Sequence, residues 1–411
     1  MSVALRLIPS PDAPGDQDLA ALGNILPFRR PGADGGQPRR IHLSPPQLAG
    51  GEMQALEETL RSGWLAPAGP IPKAFEAAFA EASGFGEALA ISSGTAALHL
   101  GYRVLGVTPG DEVWAPSLTF VATVSPAAQM GARITFLDVE PGSWTLDPDL
   151  LRDALAQAAR EGRLPRVVVP VDLYGQCADL EAIVSACDRW GVPVLSDSAE
   201  SLGAQGRGRA AGKGARLACF SFNGNKIITA GGGGALVSDD TRLITSARHF
   251  SMQAKESTPH YQHETLGYSY GFSSVLAAVG LVQLRALESR VAARRAVFAR
   301  YLAALADLPG LSFMPEPAWG RSSRWLSVML VDPDRFGADR EVVRRALDAA
   351  GIESRPVWKP LHLQPAFRGS RMIGGGVSTA LFERGLCLPS GAMDPGEQAR
   401  VIEVIRRLAR A

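Results

Sequence analysis

The sequence predicts an α/β protein: a large, mixed but mainly parallel sheet domain followed by a smaller C-terminal α/β domain. Three observations carry this expectation. Seven short apolar runs recur between residues 88 and 238, helix-length stretches separate the earlier ones, and a second helix–strand alternation follows a long helical segment. Short buried strands alternating with helices indicate parallel strands covered on both faces.

In chain order, residues 1–40 end in PFRRPGADGGQPRR, a Pro-, Gly- and Arg-rich composition that predicts a poorly ordered extension. The pattern changes at residue 41. SPPQLAGGEMQALEETLRSG opens with a cap-like Ser44 and shows helical spacing at Met53, Leu56 and Leu60, and PKAFEAAFAEASG repeats it through Phe75 and Phe79. The apolar runs are ALAIS, EVWAP, RITFLD, RVVVPV, VPVLSD, LACFSF and GALVS, with GTAALHLGYRVLG and DLEAIVSACDRWG among the intervening helices. Residues 275–308 read as one long helix with apolar positions at Leu276, Val279, Leu284, Leu287 and Val291. A strand WLSVMLVD and the helices EVVRRALDAAG and EQARVIEVIRRLAR follow. The expected division is a large domain over 41–285 and a small one over 286–411.

Length and composition exclude several classes. With 411 residues, 46% of them hydrophobic and 20% charged, the chain has ample core. Its 42 basic and 41 acidic residues leave a net charge of +1, which gives no electrostatic case for nucleic acid or an acidic membrane surface. An anionic ligand must be held by a local site. Cys177, Cys187, Cys219 and Cys387 are scattered and form no C-x-x-C pair, which points to reduced thiols in a cytoplasmic protein. No apolar run approaches the about 20 residues that a bilayer-spanning helix needs. The apolar start of the chain is broken by prolines and acids, so it fails as a signal peptide.

Four segments carry chemistry when read together. Ser92-Ser93-Gly94-Thr95 lies between a strand and a helix, where small residues expose backbone N–H groups and Thr95 adds a hydroxyl: a phosphate cradle in form, or simply a turn. Asp197 closes VPVLSD, at the carboxyl end of a strand, where α/β proteins bind ligands; it can pair with a ring nitrogen or cap a helix. Lys226 follows FSFNGN and precedes IIT and a run of four glycines, a tightly packed setting in which a lysine becomes nucleophilic, against the commoner solvated lysine. Phe120, after EVWAP, can stack on a flat ring or pack in the core. The glycine-rich stretch 203–215 lacks the Ser or Thr that a P-loop requires after its lysine, and the histidines lack metal-ligand spacing, so no metal is expected.

In order, S-G-T-A-A, S-L-T-F-V-A-T, D-S-A-E-S-L-G-A and S-F-N-G-N-K-I-I-T-A-G-G-G-G resemble the DegT/DnrJ/EryC1/StrS aminotransferases, from about residue 41 to the C-terminus. The segments G-W-L-A-P at 63–67 and E-S-R-P-V-W-K-P at 353–360 extend the likeness. The resemblance implies the aspartate-aminotransferase-like fold (fold type I), pyridoxal 5′-phosphate as cofactor, L-glutamate and a nucleotide-linked keto-sugar as substrates, and a homodimer. It implies that Lys226 forms the Schiff base and Asp197 pairs with the pyridine nitrogen. Phe120 then stacks on the ring, Gly94, Thr95 and Ser221 hold the phosphate, and Glu200 lies near the ring hydroxyl. Trp64, Tyr174, His263, Trp358, Lys359 and His362 are placed in the sugar-binding region, each with packing or surface as the alternative.

A narrower likeness comes from Asp172, where much of the family has His, from Glu200, where Gln is commoner, and from FNGNKIIT, HYQHETLGY and WKPLHLQPAF. It resembles the branch that aminates C4 of UDP-4-keto-6-deoxy-N-acetylglucosamine, on the route to diaminotrideoxy sugars. The segment Gly267–Ser274 departs from the family pattern: Ser269 retains one donor toward the neighbouring subunit's phosphate, but the Asn and Arg types are lost. Two alternatives stay open. One is another nucleotide keto-sugar, GDP-4-keto-6-deoxymannose or a TDP-keto-sugar; the other is a non-catalytic, cofactor-binding regulator.

Overall fold

The computed structural model describes residues 40–391 and 393–409, so the expected extension over 1–40 lies, except for Arg40, outside the described residues. The seven apolar runs become β1 (Glu87–Ile91), β2 (Glu112–Pro116), β3 (Arg133–Leu137), β4 (Val167–Val168), β5 (Leu195–Asp197), β6 (Leu217–Ser221) and β7 (Gly234–Ser238). They pair in two blocks, β1-β7-β6-β5 and β3-β2-β4, and parallel bridges Val168–Val194 and Val171–Asp197 join the blocks. β7 runs antiparallel to β1 and β6, while the β5–β6, β2–β3 and β2–β4 pairs are parallel. A late strand, Arg371–Ile373, returns to pair in parallel with β3. The aspartate-aminotransferase-like architecture is thus a mixed, mainly parallel sheet.

Helices α1 (Glu52–Ser62), α2 (Pro70–Ser83), α3 (Gly94–Val104), α4 (Pro148–Arg160), α5 (Leu180–Asp188) and α6 (Thr241–Ser251) accompany this sheet. Phe75 and Phe79 of α2 are fully buried and meet Phe220 and Phe222 edge-on. α1 corrects the sequence reading. Its start is held by Glu52, whose carboxylate accepts from the Ala49 and Gly50 amides, and not by Ser44. Met53 and Leu60 point outward, 78% and 60% exposed, while Glu52 and Thr59 face the interior. The apolar spacing there marks an outer face.

The expected long helix over 275–308 is two helices, α7 (Ser274–Arg285) and α8 (Leu287–Leu305), broken at Ala286. Beyond them, β8 (Leu311–Phe313), β9 (Ser327–Val331), β10 (Arg355–Pro356) and β11 (Gly385–Leu388) form an antiparallel sheet in the order β8-β9-β11-β10. α8, α9 (Arg340–Ala349) and α10 (Pro395–Leu408) bury Tyr301, Leu305, Val343, Leu347, Val401 and Ile405 against Met329, Leu386 and Leu388. α10 begins with a reciprocal cap between Asp394 and Glu397, as expected for an acidic N-cap followed by Pro395. Ile41 bridges Ile352, and the Leu43 amide donates to Glu353, which anchors the first described residues beside β10.

Candidate active site

The carboxyl ends of β5 and β6 and the start of α3 converge on one cavity of about 390 Å³. Its walls carry Ser92–Thr95, Phe120, Asp197, Glu200, Ser221, Lys226, Trp325 and Trp358. Seven of the eight cofactor-site residues expected from the sequence meet here, which the chain positions alone could not establish.

Each is placed by its local structure. Ser93 is extended and caps α3, its Oγ accepting from the Ala96 amide at 3.0 Å. The first turn of a helix leaves further N–H groups without intrahelical partners. The exposed Thr95 side chain stands beside them. A Cβ at Gly94 would lie 3.0 Å from the Ser221 Cβ, and one at Gly234 would lie 2.5 Å from the Gly94 nitrogen. The glycines therefore let three backbones close into a cradle that a side chain would fill. Gly234→Ala is expected to destabilise the fold by about 1–3 kcal/mol in urea denaturation, because the clash is with backbone rather than a movable side chain. A change below about 0.5 kcal/mol would show that these backbones can part.

Asp197 ends β5 and is 6% exposed. One carboxylate oxygen accepts from the Thr123 hydroxyl at 2.7 Å, and Thr123 is in turn hydrogen-bonded to Thr119 at 2.7 Å. The other accepts from the Ala199 amide at 3.2 Å and the Cys219 thiol at 3.4 Å. Neighbouring carboxylate and burial push the Cys219 thiol well up, burial being the larger effect, so it stays a thiol and a donor.

Lys226 sits on the turn after β6, its amide donating to the Asn223 carbonyl. Its Nζ lies 3.6 Å from a Glu200 oxygen and 4.1 Å from the centre of the Trp325 ring. Glu200 also accepts from the Tyr174 amide at 2.9 Å. Burial raises the Glu200 pKa, and Lys226 opposes that rise.

Asp172 lies beneath the Asp197–Ser201 turn that follows β5. It accepts from the Ala178 amide at 2.8 Å and from the Ser198 and Ser201 hydroxyls at 2.7 Å each. Burial nonetheless pushes its carboxyl up to about 6. A folded-state pKa above the unfolded value means that the folded protein holds the extra proton between about pH 4 and 6, so this carboxyl lowers stability as pH rises through that window. Asp172→Asn is expected to gain stability relative to the parent by about 2–3 kcal/mol between pH 4 and pH 7, read by urea denaturation. A pH-independent difference between the two proteins would contradict it.

A second cavity of about 650 Å³ adjoins the first, sharing Phe120, Asn225, Trp325 and Trp358. Tyr174, His42, Glu353 and Arg355 extend its walls. Tyr174 lies between the Trp325 and Trp358 rings at 6.4 and 6.1 Å, and its hydroxyl accepts from the Trp358 amide at 2.8 Å.

The remaining expected residues are not brought to either cavity within the single chain. Trp64 is half exposed and packs over Gly69. His263 is exposed, with Nδ1 on the Gln253 carbonyl. Ser269 and Lys359 are exposed away from both linings. His362 is turned aside, its Nδ1 2.6 Å from the Ser117 Oγ and its Nε2 3.5 Å from Thr379, so it ties the 361–363 turn to the end of β2. Conversely, Trp325, Thr123 and Asn225 were missed. Each acquires its place through a contact some 74 to 100 positions away in the chain; Thr123 and Asn225 lie within the quoted motifs, but nothing local shows what they touch.

Fold and cavity together define a fold-type-I, pyridoxal-phosphate-dependent aminotransferase. The residues present fit that cofactor: a glycine-lined helix start for a phosphate, a buried carboxylate for a ring nitrogen, and a lysine held between Glu200 and an aromatic face. The model of the DegT/DnrJ/EryC1/StrS aminotransferase family matches residues 46–406, and the chain belongs to that family. It is 47% identical over 375 residues to EpsN of Bacillus subtilis (strain 168), named as a pyridoxal phosphate-dependent aminotransferase, covering 90% of this chain and 96% of that protein. It is 34% identical to the GDP-perosamine synthase of Caulobacter vibrioides over 86% of this chain and 94% of that one. Among solved structures, DesI in the presence of its TDP-sugar product superposes with a TM-score of 0.82 at 29% identity, covering 96% of each chain. Family membership closes the reading as a non-catalytic regulator. Among the described residues no His, Cys, Asp and Glu group could hold a metal, and no helix is long and apolar enough to cross a membrane.

Proposed function

We propose that this enzyme moves an amino group from L-glutamate to the C4 keto group of a UDP-linked 4-keto-6-deoxy-N-acetylhexosamine, releasing 2-oxoglutarate and the 4-amino sugar nucleotide. The observation that carries the nucleotide-sugar reading is the second cavity. A site for amino acids alone would not need a second, aromatic-walled space of about 650 Å³ that shares Phe120, Asn225, Trp325 and Trp358 with the first cavity. The UDP and N-acetyl assignment rests on the narrower likeness of Asp172, Glu200 and their flanking segments. A GDP-linked substrate is the second reading, favoured by the similarity to a GDP-perosamine synthase.

In this reading Gly94, Thr95 and Ser221 hold the cofactor phosphate, Phe120 covers the ring, Asp197 keeps the ring nitrogen protonated, and Glu200 faces the ring hydroxyl. Bound pyridoxal phosphate supplies an electron sink that lowers the barrier to removing the donor's Cα proton. Lys226 Nζ takes that proton in the first half-reaction and delivers one to the sugar carbon in the second. Tyr174 and Trp358 shape the acceptor cavity. Incubating the enzyme with L-glutamate and UDP-, GDP- and TDP-linked 4-keto sugars, and following amino-sugar formation, tests the assignment. Turnover of the GDP-linked sugar alone would replace the first reading by the second.

The enzyme is proposed to be a homodimer and cytoplasmic. Met53, Leu60, Leu65, Met252 and Leu266 are large exposed apolar side chains, and Pro67 and Met252 close on Gly271 from the same side. A second copy would cover such side chains and bring Ser269 and His263 to a neighbour's site. Light scattering is expected to give twice the 43.5-kDa chain mass; a monomer mass at micromolar concentration would refute the assembly.

A further inference from the structure

The residue before Lys226 is held by a chain of buried and part-buried hydrogen bonds that begins on α8. Arg294 is 6% exposed and has no ion-pair partner among the described residues. Its Nη2 donates to the Ser44 Oγ at 3.0 Å and its Nη1 to the Trp325 carbonyl at 3.1 Å. Ser44 and Trp325 then converge: the serine hydroxyl and the Trp325 indole N–H each donate to the Asn225 carbonyl at 2.7 Å. Asn225 immediately precedes Lys226, and the Trp325 ring lies under the lysine Nζ at 4.1 Å. All three supporting side chains are buried.

We propose that Arg294 is a positioning residue for Lys226, acting through Ser44 and Trp325 on the Asn225 carbonyl. This rests on the reading of Lys226 as the lysine that joins the cofactor, and not on which sugar is the acceptor. A serine hydroxyl has a single proton. Because Arg294 donates to the Ser44 oxygen, that proton is directed to Asn225, and the direction of the bond is set by the guanidinium. The second arm holds the Trp325 backbone, and with it both the indole donor and the ring face that meets the ammonium.

Packing alone does not account for the residue. A buried guanidinium without a carboxylate is costly, and burial together with the neighbouring Arg290 holds Arg294 down at about 10. An apolar side chain would fill the space without that penalty. What it could not supply is two rigidly spaced donors aimed at one hydroxyl and one carbonyl. Glu200, from the turn after β5, is the charged group that faces Lys226 on the other side, so displacing the Asn225 turn changes the distance between ammonium and carboxylate.

The test compares Arg294→Met, Arg294→Lys, Ser44→Ala and Trp325→Phe with the parent and with Lys226→Ala. The readouts are the melting temperature of the apo-protein, the pH midpoint of the visible cofactor band without substrate, and kcat and KM for L-glutamate. The Met, Ala and Phe variants are expected to shift the band midpoint by about half a pH unit or more. They should lower kcat about tenfold with KM within about twofold, and Arg294→Lys should recover part of the loss. Ser44→Ala and Trp325→Phe keep the test valid if Arg294→Met does not fold. Unchanged midpoints and kcat, or effects on melting alone, would overturn the positioning role while a pH titration of the band lost only in Lys226→Ala upheld the lysine. A band that titrated with the parent's pH midpoint in Lys226→Ala would instead remove the lysine assignment on which the proposal rests.

Discussion

Lys226→Ala is expected to lower kcat/KM for L-glutamate by about 10³- to 10⁴-fold while the protein still folds and still takes up pyridoxal phosphate. The side chain projects from a turn, its Nζ has no hydrogen-bond partner among the described residues, and the nearest carboxylate oxygen is 3.6 Å away. The proposed phosphate cradle at Gly94 and the Asp197 carboxylate are built by other elements, so cofactor affinity is expected to survive in part. What is lost, in the proposed mechanism, is the base that lies beside Glu200 and above Trp325. Stopped-flow mixing of the loaded variant with glutamate, read at the cofactor band, measures the first half-reaction directly. A variant that still turned over within about tenfold of the parent would show that another group carries the proton.

Asp197→Asn should cost about 100- to 1,000-fold in kcat, with KM for the amino donor little changed. The amide is nearly the same shape as the carboxylate, so packing at the end of β5 is preserved. It carries no charge, however, and cannot keep a ring nitrogen protonated in a site that is 94% buried from water on the Asp197 side. The donors already aimed at it, from Thr123, Ala199 and Cys219, are arranged for an acceptor on both oxygens, and an Asn NH₂ would face one of them. Asp197→Ala would add a cavity to the same electrostatic loss and should be worse in stability but similar in kcat. Steady-state kinetics beside urea denaturation separate the two. An Asn variant with parental kcat would mean that the ring nitrogen needs no anionic partner here.

Much of this architecture was legible from the chain. Short continuous apolar runs marked the strands in chain order, because a strand buried on both faces must be apolar along its whole length. The Gly94, Asp197, Ser221 and Lys226 segments were readable for a related reason: each is a short backbone feature at a strand end, and such features leave local signatures in small, acidic or glycine residues.

Failures share a different cause. Ser44 resembled a helix cap, yet its hydroxyl is committed to Asn225 and accepts from Arg294, 250 positions away. Met53 and Leu60 had core-like spacing, but periodicity reports that a helix has an apolar face and not what covers it. His362 had the chemistry of a binding residue and was claimed by Ser117. By itself the sequence determined the elements, their α/β alternation and the short motifs from which the cofactor cavity is assembled, since these depend on neighbours within a turn or a strand. Only the tertiary structure decided that Trp325, Ser44 and Arg294 stand behind Lys226, that Asp172 is buried beneath the Asp197–Ser201 turn, and that a second cavity opens past Trp358. Those contacts join residues about 30 to 250 positions apart, and their energies come from burial and hydrogen-bond direction, which exist only once the chain has closed around them.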